Sequence, residues 1–106
     1  MNTAEEQRVL AHDPWGWDET EYYLLRDSFV RVRRPHACQC CGHEIRPGMR
    51  VRARAEINLD DQQKGTFYWC IQCCEAMARA SHDAGESLEH RYAMGQKKAG
   101  SIPWDA

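Results

Sequence analysis

The clearest pattern of apolar and polar positions in the chain is the strict alternation of residues 49–57. Its apolar members are Val51, Ala53, Ala55 and Ile57, and its polar members are Arg50, Arg52, Arg54 and Glu56. Because successive side chains of a strand point to opposite faces, this period of two predicts a half-buried strand with a polar, exposed second face. Since exposed charges contribute little to folding, we expect replacement of Arg52 and Arg54 to leave stability almost unchanged.

A β-hairpin is predicted around this strand. Pro47-Gly48 marks a tight turn in front of it, and residues 58–65 form a polar loop behind it. Residues 66–69 are rich in aromatic side chains, which favour strands, and they form the return strand. The hairpin therefore ends at Cys70, where the next element begins.

The N-terminal part of the chain predicts two helices followed by a strand. Residues 3–10 form a short helix, and a second helix occupies residues 18–27 with Asp18 as its N-cap. Residues 28–34 then alternate between apolar and basic side chains, which is typical of a strand. Pro35 ends that strand.

The C-terminal part predicts two further helices and a polar tail. Residues 71–83 form the first helix. Residues 86–94 form the second, with Leu88 and Tyr92 on its buried side. The tail begins at Gly95.

These elements predict a small α+β fold in one folded unit. We divide it into an N-terminal helical segment with a lead-in strand (1–35), a central zinc finger (36–84), and a C-terminal helix and tail (85–106). With 106 residues and an apolar fraction of 42% that is rich in alanine, the core is modest. Trp15 and Trp17 are expected to cover it.

Six cysteines lie in two clusters that flank the hairpin. Each cluster contains a C-x-x-C pair, Cys38 with Cys41 and Cys70 with Cys73. Four thiolates complete the tetrahedral shell of Zn²⁺ and leave no position open, so the pattern predicts one structural zinc ion. Residues 38–42, which we call the knuckle, turn sharply because Gly42 reaches positive φ without strain. Cys40 and Cys74 are left over.

A disulfide framework is the alternative interpretation of the same cysteines. It needs an oxidising compartment. Residues 1–10 are charged throughout and show no apolar signal sequence, which favours the reducing cytoplasm. Two C-x-x-C pairs in that compartment favour a metal over disulfides. Since there is no long apolar run, we expect no membrane association.

The order of knuckle, hairpin and helix start is the layout of a treble-clef zinc finger. The residues that carry this layout are His36, Cys38, Cys41, Gly42, Ile45, Gly48, Tyr68, Trp69, Cys70 and Cys73. In this pattern the chain resembles a group of small treble-clef zinc-finger proteins of bacteriophages and prophages that bind zinc through four cysteines. The resemblance covers residues 36–80 and implies a zinc site with four cysteine ligands. It implies no particular activity.

Positive charge is concentrated around the knuckle and the first hairpin strand. The chain has a net charge of −2, yet residues 31–54 contain seven arginines and one acid. The seven arginines are Arg31, Arg33, Arg34, Arg46, Arg50, Arg52 and Arg54. Because arginine binds phosphate through two parallel hydrogen bonds and stacks on bases, they predict a nucleic-acid-binding surface. The alternative is a solvated face that the acidic flanking segments neutralise.

The histidines do not form a recognisable catalytic arrangement. A treble-clef nuclease of the HNH type needs a histidine at the end of the first hairpin strand, and this strand ends in Ile57-Asn58. We therefore predict a binding protein, not an enzyme, with no small-molecule substrate. Its partner is nucleic acid, or alternatively a host protein such as a component of a defence or transcription complex, bound by an adaptor or inhibitor.

Overall fold

Three helices and five strands make up the described part of the chain. The computed structural model describes residues 1–15 and 21–100, and side chains within these ranges up to residue 96. The elements are α1 (Thr3–Ala11), β1 (Tyr22–Arg31), β2 (His36–Ala37), β3 (Glu44–Ile45), β4 (Arg50–Asn58), β5 (Lys64–Trp69), α2 (Ile71–Asp83) and α3 (Glu86–Gly100). The predicted α+β class is confirmed.

The strands form two antiparallel sheets. The larger sheet has the order β1-β4-β5, so the predicted hairpin strand β4 is its centre. β2 and β3 form a two-stranded ribbon that brackets the knuckle. In the middle of the large sheet Ser28 lies opposite Ala53, and Ala53 lies opposite Tyr68. These three side chains therefore share one face of the sheet.

The helix predicted at residues 18–27 is wrong where the chain is described. Residues 22–31 form strand β1, which pairs with β4 from Tyr22 opposite Asn58 to Arg31 opposite Arg50. A β-bulge lies between Leu24 and Arg26, and its extra residue shifts the alternation by one position. This shift hides the period of two in the sequence. The predicted cap Asp18 lies outside the described residues.

The three helices lie near their predicted positions. α1 is capped by Asn2, whose side chain accepts a hydrogen bond from the Glu5 amide at 2.9 Å. α2 has the predicted bounds and ends where Ala84 adopts the left-handed conformation. α3 continues to Gly100, so the prediction of a tail from residue 95 is wrong for residues 95–100. Residues 96–99 are good helix formers, which outweigh the single Gly95.

The arginines of β4 lie on the face that packs against the helices. The expectation that they share an exposed face is wrong for Arg52, which is 0% exposed, and for Arg54, which is 6% exposed. Arg50 remains half-exposed but forms an ion pair with Glu6 of α1 at 2.8 Å. The alternation of β4 identified two faces correctly. It did not show which face the helices cover.

Arg52 can be buried because its positive charge is paired and hydrogen-bonded inside the protein. Its guanidinium donates two hydrogen bonds to the Asp27 carboxylate, at 2.9 and 2.8 Å, and a third to the Val9 carbonyl at 2.9 Å. It also lies 5.4 Å from the centre of the Trp69 ring. A buried charge is tolerated only when it is paired and hydrogen-bonded in this way. Arg54 shares Asp27 and donates to the Tyr22 hydroxyl at 2.6 Å.

Trp15 covers one side of the core, as predicted. Its ring packs edge-on against Phe67, with centroids 4.9 Å apart, and against Trp69 at 5.6 Å. Its indole N–H donates to the Glu56 carboxylate at 3.0 Å, so its polar atom is also satisfied. Trp17 lies outside the described residues. None of the helices in the described ranges combines the length and apolar character that a membrane span requires.

We expect Arg52→Met to lower the free energy of unfolding by about 3 kcal/mol, because it leaves Asp27 short of its closest counter-charge inside the protein. Arg46→Met is the matched control, since its side chain is 78% exposed. The control should change stability by less than about 0.5 kcal/mol. Urea denaturation measures both values, and equal effects of the two variants would contradict the structural role of Arg52.

Candidate functional site

The four cysteines of the C-x-x-C pairs converge on one point between the knuckle and α2. Cys38 and Cys41 lie on the knuckle, where Gly42 has φ 74° and its amide donates to the Cys38 carbonyl at 3.0 Å. Cys70 is the N-cap of α2, and Cys73 lies in its first turn. All four side chains are buried. The turn and the helix start thus present two thiols each.

The distances between the sulfur atoms fit a tetrahedral metal ion. All four Sγ atoms lie within 4.8 Å of one another. The Sγ atoms of Cys38 and Cys73 are 3.6 Å apart, as are those of Cys41 and Cys70. Metal–sulfur bonds of about 2.3 Å at tetrahedral angles require sulfur–sulfur distances of about 3.8 Å. The four cysteines could therefore coordinate one metal ion with little movement.

Protonation of these thiols competes with metal binding. Hydrogen bonds from Cys70 and Cys73 lower the pKa of the Cys38 thiol, and the Cys70 amide adds a further bond to this sulfur at 3.3 Å. The same interaction with Cys38 raises the pKa of Cys70 to about 11. Since a metal binds thiolates, protons must leave on binding. Metal affinity therefore falls as the pH falls.

The two remaining cysteines do not belong to this group. Cys74 is fully buried, and its thiol lies 3.4 Å from the Trp69 carbonyl. Burial raises its pKa to about 12, so it stays a neutral thiol, as expected for a small core residue. Cys40 is only partly buried and lies outside the set of four converging sulfur atoms.

Arg91 of α3 contacts the cysteine cluster, which the sequence analysis did not predict. Its Nε donates to the Cys73 sulfur at 3.1 Å, and its Nη2 lies 3.6 Å from the Cys41 sulfur. Nη2 also donates to the Gln72 side chain at 3.0 Å. Four thiolates and a divalent ion carry a net charge of −2, so one guanidinium offsets half of it. Groups that orient metal ligands in this way tune the affinity of the site.

The approach of α3 to the knuckle depends on Gly95. A Cβ atom at this position would lie 2.1 Å from the Cys40 carbonyl oxygen, so only glycine fits without displacement. Leu88, Arg91 and Gly95 follow one another at spacings of three and four, which places them on one helix face. In the sequence, this spacing was the signal that could have indicated the contact between α3 and the knuckle. The prediction that Tyr92 is buried is wrong, since it is 54% exposed.

The opposite face of the large sheet forms an open groove of about 740 Å³. We call it the basic groove. It is lined by Leu25, Arg26, Val30, Arg31, Val32, Arg33, Arg34, His36, Ala53, Ala55, Lys64, Thr66 and Tyr68. Five of these residues are basic, and none of the described lining residues is acidic. The groove therefore has a positive rim above a floor of small side chains.

Three of the seven predicted arginines line the basic groove. Arg31, Arg33 and Arg34 are exposed there, although Arg31 donates one hydrogen bond to the Gly48 carbonyl at 2.9 Å. Arg46 is exposed outside the groove and lies 3.9 Å from Glu44. The sequence analysis missed Arg26 and Lys64, which lie on β1 and β5 at the same face as Ala55 and Ile57.

An ordered aromatic pair lines the groove. The rings of His36 and Tyr68 are stacked with centroids 3.8 Å apart and an angle of 17° between their planes. β2 supplies the histidine and β5 supplies the tyrosine, whose carbonyl accepts a hydrogen bond from the Gln39 amide at 2.8 Å. The pair is therefore fixed by the knuckle on one side and by the sheet on the other.

Comparisons of the chain with protein-family models, with curated proteins and with solved structures give no significant match. The site must therefore be interpreted from its own residues.

We expect Cys38→Ser and Cys73→Ser to lose the bound metal and to unfold the domain, because three thiolates leave the tetrahedral shell open. Cys40→Ser and Cys74→Ala are the matched controls, each removing one thiol outside the group of four. Both controls should keep one metal ion per chain. Elemental analysis of the purified proteins measures this. Equal metal loss from Cys38→Ser and Cys40→Ser would show that the ligands are assigned incorrectly.

We expect Arg91→Ala to weaken metal binding by about 10-fold to 100-fold, because it removes the charge and the hydrogen bonds that support two of the thiolates. Arg91→Lys should recover part of the affinity, since it restores the charge without the planar fork. Competition with a chromogenic chelator measures the affinity. Arg79→Ala, which removes an exposed arginine from α2, serves as control, and an affinity loss of similar size there would count against a specific role for Arg91.

Proposed function

We propose that the chain is a non-enzymatic, zinc-stabilised module that binds nucleic acid through the basic groove. The observation that carries this proposal is the composition of the groove. Arg26, Arg31, Arg33, Arg34 and Lys64 surround it, and no acidic residue lies among its described lining. A basic surface of this kind is the electrostatic footprint of proteins that contact phosphates.

Zinc is the metal that the donor set favours. Four buried thiolates are soft ligands, and a closed tetrahedral shell of them is typical of structural zinc. The order of knuckle, β4-β5 hairpin and α2 supports a treble-clef arrangement around this ion. It also supports the resemblance to the small zinc proteins of bacteriophages and prophages. In this proposal the metal holds the knuckle, and the knuckle in turn holds His36 at the groove.

The arginines of the groove are suited to binding phosphate groups. Four of the five basic residues are arginines, whose planar fork binds phosphate oxygens through paired hydrogen bonds. Among the described residues, Arg33 and Arg34 form no ion pair with the protein. Their charge is therefore available to a ligand. By contrast, the charges of Arg52 and Arg54 are neutralised inside the protein.

Nucleic-acid binding makes a definite prediction about salt. Each phosphate contact releases condensed counterions, so the logarithm of the binding constant falls with the logarithm of the salt concentration. We expect the double variant Arg33→Gln, Arg34→Gln to weaken binding to all sequences alike and to reduce the salt slope by about 1–2 units. Fluorescence anisotropy of a labelled random oligonucleotide, titrated at several salt concentrations, measures both effects.

The double variant Arg8→Gln, Arg79→Gln is the matched control, because it removes two exposed arginines that do not line the groove. It should leave the salt slope within experimental error of the unaltered protein. If both double variants reduce the slope equally, the binding is a property of net charge and the groove is not the site. If the unaltered protein binds no oligonucleotide at low salt, the proposed function is wrong.

A further inference from the structure

We propose that the ligand of the basic groove is a single-stranded nucleic acid, whose bases stack against the Tyr68–His36 pair. This inference rests on the proposed function and names the form of nucleic acid that the groove takes. Three features carry it: the concave shape of the groove, its fixed aromatic pair, and the arrangement of its basic residues around both.

The floor of the groove leaves room for flat groups between the strands. Ala53 lies beside Tyr68 across the sheet, and the next row contains Ala55 and Thr66. Small side chains in the centre of a sheet leave a depression, and its volume of about 740 Å³ is in the range of ligand sites. A nucleobase can enter such a depression only when it is not paired in a duplex.

The aromatic pair supplies a stacking surface in the depression. Tyr68 and His36 are already stacked, so binding a base orders no additional ring. Both rings line the groove. Stacking of bases on aromatic side chains is tolerant of sequence, because every base has a flat π-face. The groove should therefore bind single strands with weak sequence preference.

The basic residues lie at both ends of this surface. Arg26 of β1 and Lys64 of β5 lie at one end, and Arg31, Arg33 and Arg34 lie at the other. Arg31 lies five positions after Arg26 along β1, which corresponds to about 17 Å of extended strand. A short run of nucleotides spans this distance, with phosphates at the two ends and bases over the floor between them.

A duplex fits this surface poorly. Proteins that read duplex DNA insert a protruding helix or ribbon into its grooves, whereas here the basic residues form the rim of a depression in a sheet.

The test compares three probes on the zinc-loaded protein of residues 1–106. They are an oligothymidylate of about twelve nucleotides, an abasic strand of the same length, and a duplex of the same length. We expect the oligothymidylate to bind about tenfold more tightly than the abasic strand, which keeps the phosphates but has no bases to stack. The affinity for the oligothymidylate should exceed the affinity for the duplex by a similar factor.

Tyr68→Leu should remove this preference by lowering the affinity for oligothymidylate about tenfold while leaving the affinity for the abasic strand unchanged. Tyr92→Leu is the matched control, because Tyr92 is exposed on α3 and does not line the groove. It should bind all three probes like the unaltered protein. The probe comparison itself needs no variant, so it remains decisive if Tyr68→Leu fails to fold.

The outcomes separate this inference from the proposed function. Equal binding of the oligothymidylate, the abasic strand and the duplex would overturn the single-strand inference and leave nucleic-acid binding intact. Tighter binding of the duplex would do the same. Binding of none of the three probes at low salt would overturn both.

Discussion

The convergence of four thiols on one point constrains most of this structure. It fixes the knuckle relative to the start of α2, and through Arg91 it fixes α3 relative to both. The four cysteines belong to the same buried cluster as Ile45, Trp69 and Met77, so the site also lies within the apolar core. A structural zinc ion contributes on the order of 10 kcal/mol to the folding of small domains, which is comparable to the whole stability of many of them.

The parts of the fold that depend on local signals could be predicted from the sequence. The spacing of the cysteines identified the four converging thiols, because two C-x-x-C pairs around a hairpin have few other arrangements. The bounds of α2 and the approximate bounds of β4 also followed from nearby residues. Each of these features is decided within about ten residues of chain, where periodicity and turn chemistry are reliable.

The parts that depend on distant residues could not be predicted. The bulge between Leu24 and Arg26 interrupts the alternation of β1. The apolar and polar residues of this strand therefore follow neither the strand period of two nor the helix period of 3.6. The burial of Arg52 is decided by Asp27 and by the helices above it, and the alternation of β4 is the same whichever face they cover. Arg91 reaches its sulfur partners from 18 and 50 positions away. The helical spacing of Leu88, Arg91 and Gly95 marks a common helix face, but it does not show that this face contacts the cysteines.

The hydrogen bond from Arg52 to the Val9 carbonyl has a consequence for α1. Val9 lies in the last turn of this helix, where the helix dipole favours a positive charge, and its carbonyl also accepts a hydrogen bond from the His12 amide at 3.0 Å. A strand residue therefore acts as the C-terminal cap of a helix. A helix of nine residues is too short to be stable alone in water, so α1 becomes helical only when β4 is in place beneath it. The helix α1 is thus a layer of the fold that depends on the sheet and not an independent arm.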